Sequence, residues 1–173
     1  VTLLERLDIT PQPKHRADVL SVLDEVKHSP FIGEISPEEI EQLCHAQTIL
    51  FFYDGDVLAG LVGWNMIHKT WIEVGPIYTV RAYRGQGLGG FMFDTVEEMQ
   101  LQAGHKLYGV TKNPVVKGMF EKRGFRRVSL WALPYEVQRY LLRKLTLRKL
   151  LHHARKLRFR DSVSHFIKSG EAK

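Results

Sequence analysis

The sequence predicts a mixed α/β fold with a mostly antiparallel meander at its centre and helices around it. Three observations carry that reading. Apolar runs at 49–53 and 57–67 are separated by Asp54-Gly55-Asp56, and an Asp-Gly turn between such runs is a strong hairpin signal. A second short connection, His68-Lys69-Thr70, leads into a third run, Trp71 to Val80; connections this short join antiparallel neighbours. That run ends at a glycine-rich stretch, Tyr83-Arg84-Gly85-Gln86-Gly87-Leu88-Gly89-Gly90, after which Leu88, Met92, Val96 and Met99 recur at helical spacing. Strand, loop and amphipathic helix therefore follow one another.

The remaining elements fill in on either side. Leu3 to Ile9 reads as a first strand, stopped by Pro11-Gln12-Pro13, and Ala17, Leu20, Val22, Leu23 and Val26 mark a helix. A second helix has Ser36 as N-cap, Pro37 in its first turn and Glu39 closing a capping box. Its apolar side is Ile40, Leu43 and Cys44. Beyond the central helix come a strand at Leu107–Thr111, a short helix at Pro114–Lys122 and a strand at Phe125–Leu133. After Pro134 a helical stripe (Val137, Leu141, Leu145, Leu147, Leu150, Leu151, Ala154, Leu157) runs among many cations, and Ser162–Lys168 is a candidate late strand.

With 173 residues, 44% hydrophobic and 25% charged, the chain fits one globular domain. Its one cysteine, Cys44, has no partner for an internal disulfide. No apolar run approaches the ~20 residues of a spanning helix, and no signal-peptide pattern is seen. These point to a cytoplasmic protein without a membrane span. Charge is uneven: up to Ala132 there are 14 Lys/Arg against 16 Asp/Glu, and from Leu133 onward 11 against 3. A nearly neutral body thus carries a strongly basic tail. His105, His152, His153 and His165 lack thiolate partners at zinc spacing, so solvent-facing histidines are expected and no metal site. Cys44 is expected in the core rather than as a nucleophile. Trp64 and Trp71 fit either packing on the sheet or the lining of an acceptor pocket.

The glycine stretch is where chemistry concentrates. Gly85, Gly87, Gly89 and Gly90 let the backbone approach a bulky ligand, and the helix that follows offers N–H groups and a positive dipole end to an anion. Gly85-x-Gly87-x-x-Gly90 fits a dinucleotide fingerprint, but the next strand ends without the acidic residue that motif needs. The pattern Arg84-x-x-Gly87-x-Gly89, with Asn113 and Phe120-Glu121-Lys122-Arg123-Gly124-Phe125, instead resembles the GCN5-related N-acetyltransferase (GNAT) superfamily from about Ile49 to Phe125.

That resemblance implies a GNAT-like mixed, mostly antiparallel central sheet flanked by helices. It implies acetyl-coenzyme A as co-substrate, bound by residues 84–90 (Arg84, Gly85, Gln86, Gly87, Leu88, Gly89, Gly90), by the main chain of Ile77, Tyr78 and Thr79, and by Asn113, which equally suits a helix N-cap. It also implies an amine acceptor, whose ammonium must lose a proton before attack. Glu73, in the strand before the loop, is the expected base, with pairing to a cation as the plain alternative. Thr79 stands where the superfamily usually has valine and Arg81 where proline is common; Arg81 adds charge near the phosphates. Phe120 replaces a tyrosine that in many members protonates the leaving thiolate. Tyr108 or water then serves, or the thiolate leaves unaided, or the protein is a catalytically silent acyl-coenzyme A binding module.

Residues Lys27 to Gly33 either shape the acceptor pocket or merely connect helices. On this reading residues 1–133 form the coenzyme-binding core and 134–173 an extra basic helical segment that includes the late strand. The tail's cations suit RNA phosphates, anionic lipid or an acidic protein. They also suit an acceptor amine linked to nucleic acid, or a solvated face docked on the domain or on a second copy as a homodimer.

Overall fold

The computed structural model describes residues 2–27, 35–144 and 163–170. A seven-stranded, mostly antiparallel sheet is formed by β1 (Leu7–Thr10), β2 (Ile49–Asp54), β3 (Val57–His68), β4 (Trp71–Thr79), β5 (Lys106–Thr111), β6 (Arg126–Val128) and β7 (Ser164–Lys168). Their order is β1-β2-β3-β4-β5-β7-β6. The β4–β5 ladder is parallel and short, pairing Trp71, Ile72 and Glu73 with Lys106, Leu107 and Tyr108.

The chain divides into two compact units that share β3 and β4 between them. In the first (Val1–Asn65 and Val74–Gln102), α1 (Arg16–Lys27) and α2 (Pro37–His45) pack Val19, Val22, Leu23, Val26, Ile40 and Leu43 onto Phe51, Tyr53, Leu61 and Tyr78. Strand side chains alternate between faces, so Phe52 points the other way, where its ring meets Phe91 of α3 (Leu88–Gln102) edge-on, with centroids 6.0 Å apart. Ser36 and Glu39 form the capping box expected of α2.

The second unit (Met66–Glu73 and Ala103–Lys173) repeats the arrangement. From α5 (Tyr135–Lys144) the buried Val137 and half-buried Leu141 join Trp71, Tyr108 and Ile167. On the opposite face Phe120 of α4 (Pro114–Lys122) stacks on Phe166 and tilts against Phe125. β7 lies between β5 and β6, antiparallel to both, with Tyr108 opposite Ile167 and Arg127 opposite Phe166.

Several expected boundaries move. Leu3–Arg6 is a 3₁₀ turn that delays β1 to Leu7. The strand read over Phe125–Leu133 shortens to Arg126–Val128, because Leu130–Ala132 turns into a 3₁₀ segment ahead of Pro134. The late strand starts at Ser164 rather than Ser162. Most of the 27–33 connection and the cation-rich stretch 145–162 lie outside the described residues. Among the described residues no helix is long and apolar enough to cross a membrane.

Candidate functional site

Each unit carries one constellation of interest. In the first unit the glycine loop leads from β4 into α3 through a 3₁₀ turn at Arg81–Tyr83. Gly85 and Gly87 take φ values of +78° and +81°, a region that costs any residue with a Cβ ~1–2 kcal/mol. A Cβ on either would meet nothing within 4 Å, so the glycines serve backbone conformation while the space beside the loop stays open. The first helical hydrogen bond runs from Phe91 N–H to the Gly87 carbonyl at 3.1 Å. Leu88, Gly89 and Gly90 therefore form the first turn of a 15-residue helix, the end that attracts an anion.

Arg84 is turned back onto its own unit. Its Nε donates to the Thr79 carbonyl at 3.1 Å and a terminal nitrogen donates to the Tyr78 hydroxyl at 3.1 Å. The guanidinium also lies 3.8 Å from Glu25 and 5.6 Å from the centre of the Tyr78 ring. Tyr78 in turn donates to the Glu25 carboxylate. Burial, reinforced by Glu25, pushes the Tyr78 phenol up to about 12, so it remains a donor at neutral pH. Gln86 Nε2 donates to the Ala82 carbonyl at 3.2 Å. Half-buried Ile77 and Thr79 flank Tyr78 on β4, and Arg81 is exposed. The loop is thus clasped to the end of β4 and to α1.

In the second unit, Glu73 is the residue around which polar groups gather. Its side chain is 11% exposed and its Oε2 accepts from Lys144 Nζ at 2.5 Å and from the Tyr140 hydroxyl at 2.6 Å. Cation pairing, the plain alternative for Glu73, is therefore present. Tyr108 is the ladder partner of Glu73 and is fully buried. Its hydroxyl lies 2.8 Å from His165 Nδ1 on β7, and the two rings stack. Burial, then the Glu73 charge, pushes both phenols above the ordinary tyrosine value. His165, expected to face solvent, is half-buried, and burial lowers its imidazole. Next to this group, Ile67, His68, Tyr135, Glu136, Arg139, Tyr140 and Arg143 line a pocket of about 360 Å³.

Asn113 caps α4: its Oδ1 accepts from Val115 N–H at 2.9 Å while its own N–H donates to the Thr111 hydroxyl at 3.0 Å. Phe120 is a core ring, and the reason lies across from it. A Cβ at Gly109 would stand 2.3 Å from Phe120 Cζ, so the missing side chain on β5 makes the ring's seat. Trp64 and Trp71 are buried, as packing aromatics are, and Cys44 lies half-buried against the core of the first unit. Among the described residues no group of three or more His, Cys, Asp or Glu side chains is placed to hold a metal ion. His152 and His153 lie outside those residues.

Sequence reasoning missed Glu25, Tyr140, Lys144 and His165 as parts of these constellations. For two of them a signal existed. Tyr140 and Lys144 stand three residues after Val137 and Leu141 respectively, so they lie on the flank of the buried stripe of α5. Glu25 and His165 come from distant segments and left no local trace.

Residues 19–125 match the family model for the acetyltransferase (GNAT) family. No curated protein matches the sequence. Among solved structures, N-acetylglutamate synthase from Neisseria gonorrhoeae, complexed with coenzyme A and N-acetyl-glutamate, is similar with a TM-score of 0.71 at 12% identity. The match covers 96% of this chain and 35% of that one, so this chain spans about a third of that protein's length. Rv2747 from Mycobacterium tuberculosis, in complex with coenzyme A, is similar at TM-score 0.69 and 13% identity over 94% of this chain and 98% of that one. An acetyltransferase of the GNAT family from Streptococcus pneumoniae follows at TM-score 0.60 and 20% identity, covering 71% and 86%. At such identities the likeness is one of fold.

Proposed function

This chain belongs to the acetyltransferase (GNAT) family, and we propose that it transfers the acetyl group of acetyl-coenzyme A to a primary amine on a small molecule or a protein. The observation that carries the reading is the loop at Arg84–Gly90, open, left-handed at Gly85 and Gly87, and feeding the start of α3. Residues 84–90 would hold the diphosphate, with main-chain groups of Ile77, Tyr78 and Thr79 along the pantetheine arm and Asn113 as a further contact. Acetyl-coenzyme A supplies an activated acyl group as its thioester.

Glu73 is the proposed base. Its carboxylate already accepts two donors, Tyr140 and Lys144, so an acceptor ammonium can enter by exchanging with Lys144. Tyr108, its ladder neighbour, is the proposed proton donor to the leaving thiolate, with its hydroxyl held by His165. Residues 1–133 serve as the coenzyme-binding core and 134–173 as a basic addition that also supplies β7, and the proposed setting is cytoplasmic. For the tail, the proposed partner is an anion such as RNA, directly or through a nucleic-acid-linked acceptor. Retention on RNA should then fall steeply with salt, and no retention at low salt removes that partner.

One observation favours a second reading. Phe120, where many relatives offer a phenol, is sealed in the core and has no proton to give, as in a silent acyl-coenzyme A binder. Calorimetry with acetyl-coenzyme A, followed by turnover on a panel of amines, separates the two. An enzyme shows affinity and turnover, and Glu73→Gln lowers kcat by about 10²–10⁴ while coenzyme affinity holds. Affinity without turnover on any amine selects the binder, and no affinity ends both readings.

A further inference from the structure

We propose that Lys144 is itself an acetyl acceptor, modified by this chain at the carboxylate of Glu73. The inference rests on the reading of Glu73 as base. Lys144 brings a primary amine to 2.5 Å from Glu73 Oε2, within the reach a general base needs of the proton it removes. Among the described residues no other lysine pairs with Glu73. The placement is built rather than incidental. Val137 and Leu141 anchor α5 in the core, and Tyr140 and Lys144, four residues apart on one face, converge on the same oxygen. The Lys144 side chain is 49% exposed, so it can swing off the carboxylate when another acceptor arrives. A tethered amine also needs no encounter with the base, which raises its effective concentration.

The step balances without any redox change. Glu73 takes one proton from the Lys144 ammonium and passes it to solvent. The freed lone pair forms the N–C bond to the thioester carbonyl carbon, and the C–S bond breaks with its electron pair leaving on sulfur. The second nitrogen proton goes to the thiolate, so the products are Nε-acetyl-lysine and the coenzyme A thiol. Acetylation removes the lysine's charge and with it the ion pair to Glu73.

The test uses the full chain with acetyl-coenzyme A and no added acceptor, following intact mass and mapping acetylated peptides, with coenzyme affinity measured alongside. The expected result is one acetyl group at Lys144, appearing at a rate independent of protein concentration. That rate should fall about 100-fold or more in Glu73→Gln, and the modification should be absent in Lys144→Arg. Before coenzyme is added, Lys144 should resist reductive methylation in the wild type and lose that resistance in Glu73→Gln. Equal labelling in both, acetylation spread evenly over the lysines, or a rate proportional to protein concentration overturns the proposal. Coenzyme binding without acetylation of Lys144 overturns it alone; absence of coenzyme binding overturns it together with the proposed function.

Discussion

Two residues show how a single atom group sets the local rules. Gly109 has no side chain because Phe120 occupies that space: an added Cβ would sit 2.3 Å from the ring's far carbon. Gly109→Ala should therefore destabilise the protein by about 1–3 kcal/mol, as overpacking does, visible as a lower thermal midpoint. Combining it with Phe120→Leu should cost less than the two single changes added together. His165 makes a pH prediction. Burial holds its imidazole below the ordinary value, while the unfolded chain restores ~6.5. As pH falls through ~6.5 the unfolded state binds a proton that the folded state refuses, and stability drops until His165 protonates in the folded state too. Between about pH 7.5 and 5 the urea midpoint of the wild type should fall more than that of His165→Gln, which keeps a hydrogen-bonding partner for Tyr108 without titrating. Equal slopes would refute this.

At the scale of elements, the helix starts are built in different ways. Asn113 caps α4 through its side-chain oxygen, and Asn113→Ala should cost about 0.5–2 kcal/mol. Asn113→Asp keeps the acceptor and so the cap, while placing a negative charge where a coenzyme contact is proposed. If Asn113 has both roles, Asp preserves the melting temperature and weakens acetyl-coenzyme A binding; if it only caps, both quantities stay near wild type. The start of α3 works differently. Left-handed Gly87 precedes it, and the Gly87 carbonyl accepts its first helical hydrogen bond, from Phe91 N–H. The start of α2 is instead closed by the reciprocal hydrogen bonds of Ser36 and Glu39.

On the scale of the whole molecule, the last described strand lies inside the sheet. β7 pairs with β5 over five residues and with β6 over three. A chain ended after residue 162 should leave both neighbours without their shared partner. Fast amide exchange is expected in β6 and in the Gly109–Thr111 end of β5, which lies beyond its ladder with β4, and retained protection there would refute a structural role for residues 164–168. The sequence by itself determined the hairpin, the capping box, the glycine loop and the helix after it, because each is encoded by residues close in the chain: Asp54-Gly55, Ser36 with Glu39, Gly85 with Gly87. It also determined the family, since the loop pattern is local. Only the tertiary structure decided that Arg84 folds back onto Tyr78 and Thr79, that His165 meets Tyr108, and that Lys144 reaches Glu73 from 71 residues away. Such contacts depend on which strand lies beside which and on where a helix comes to rest. Those choices are made by burial summed over the whole core, and no short stretch of residues records that sum.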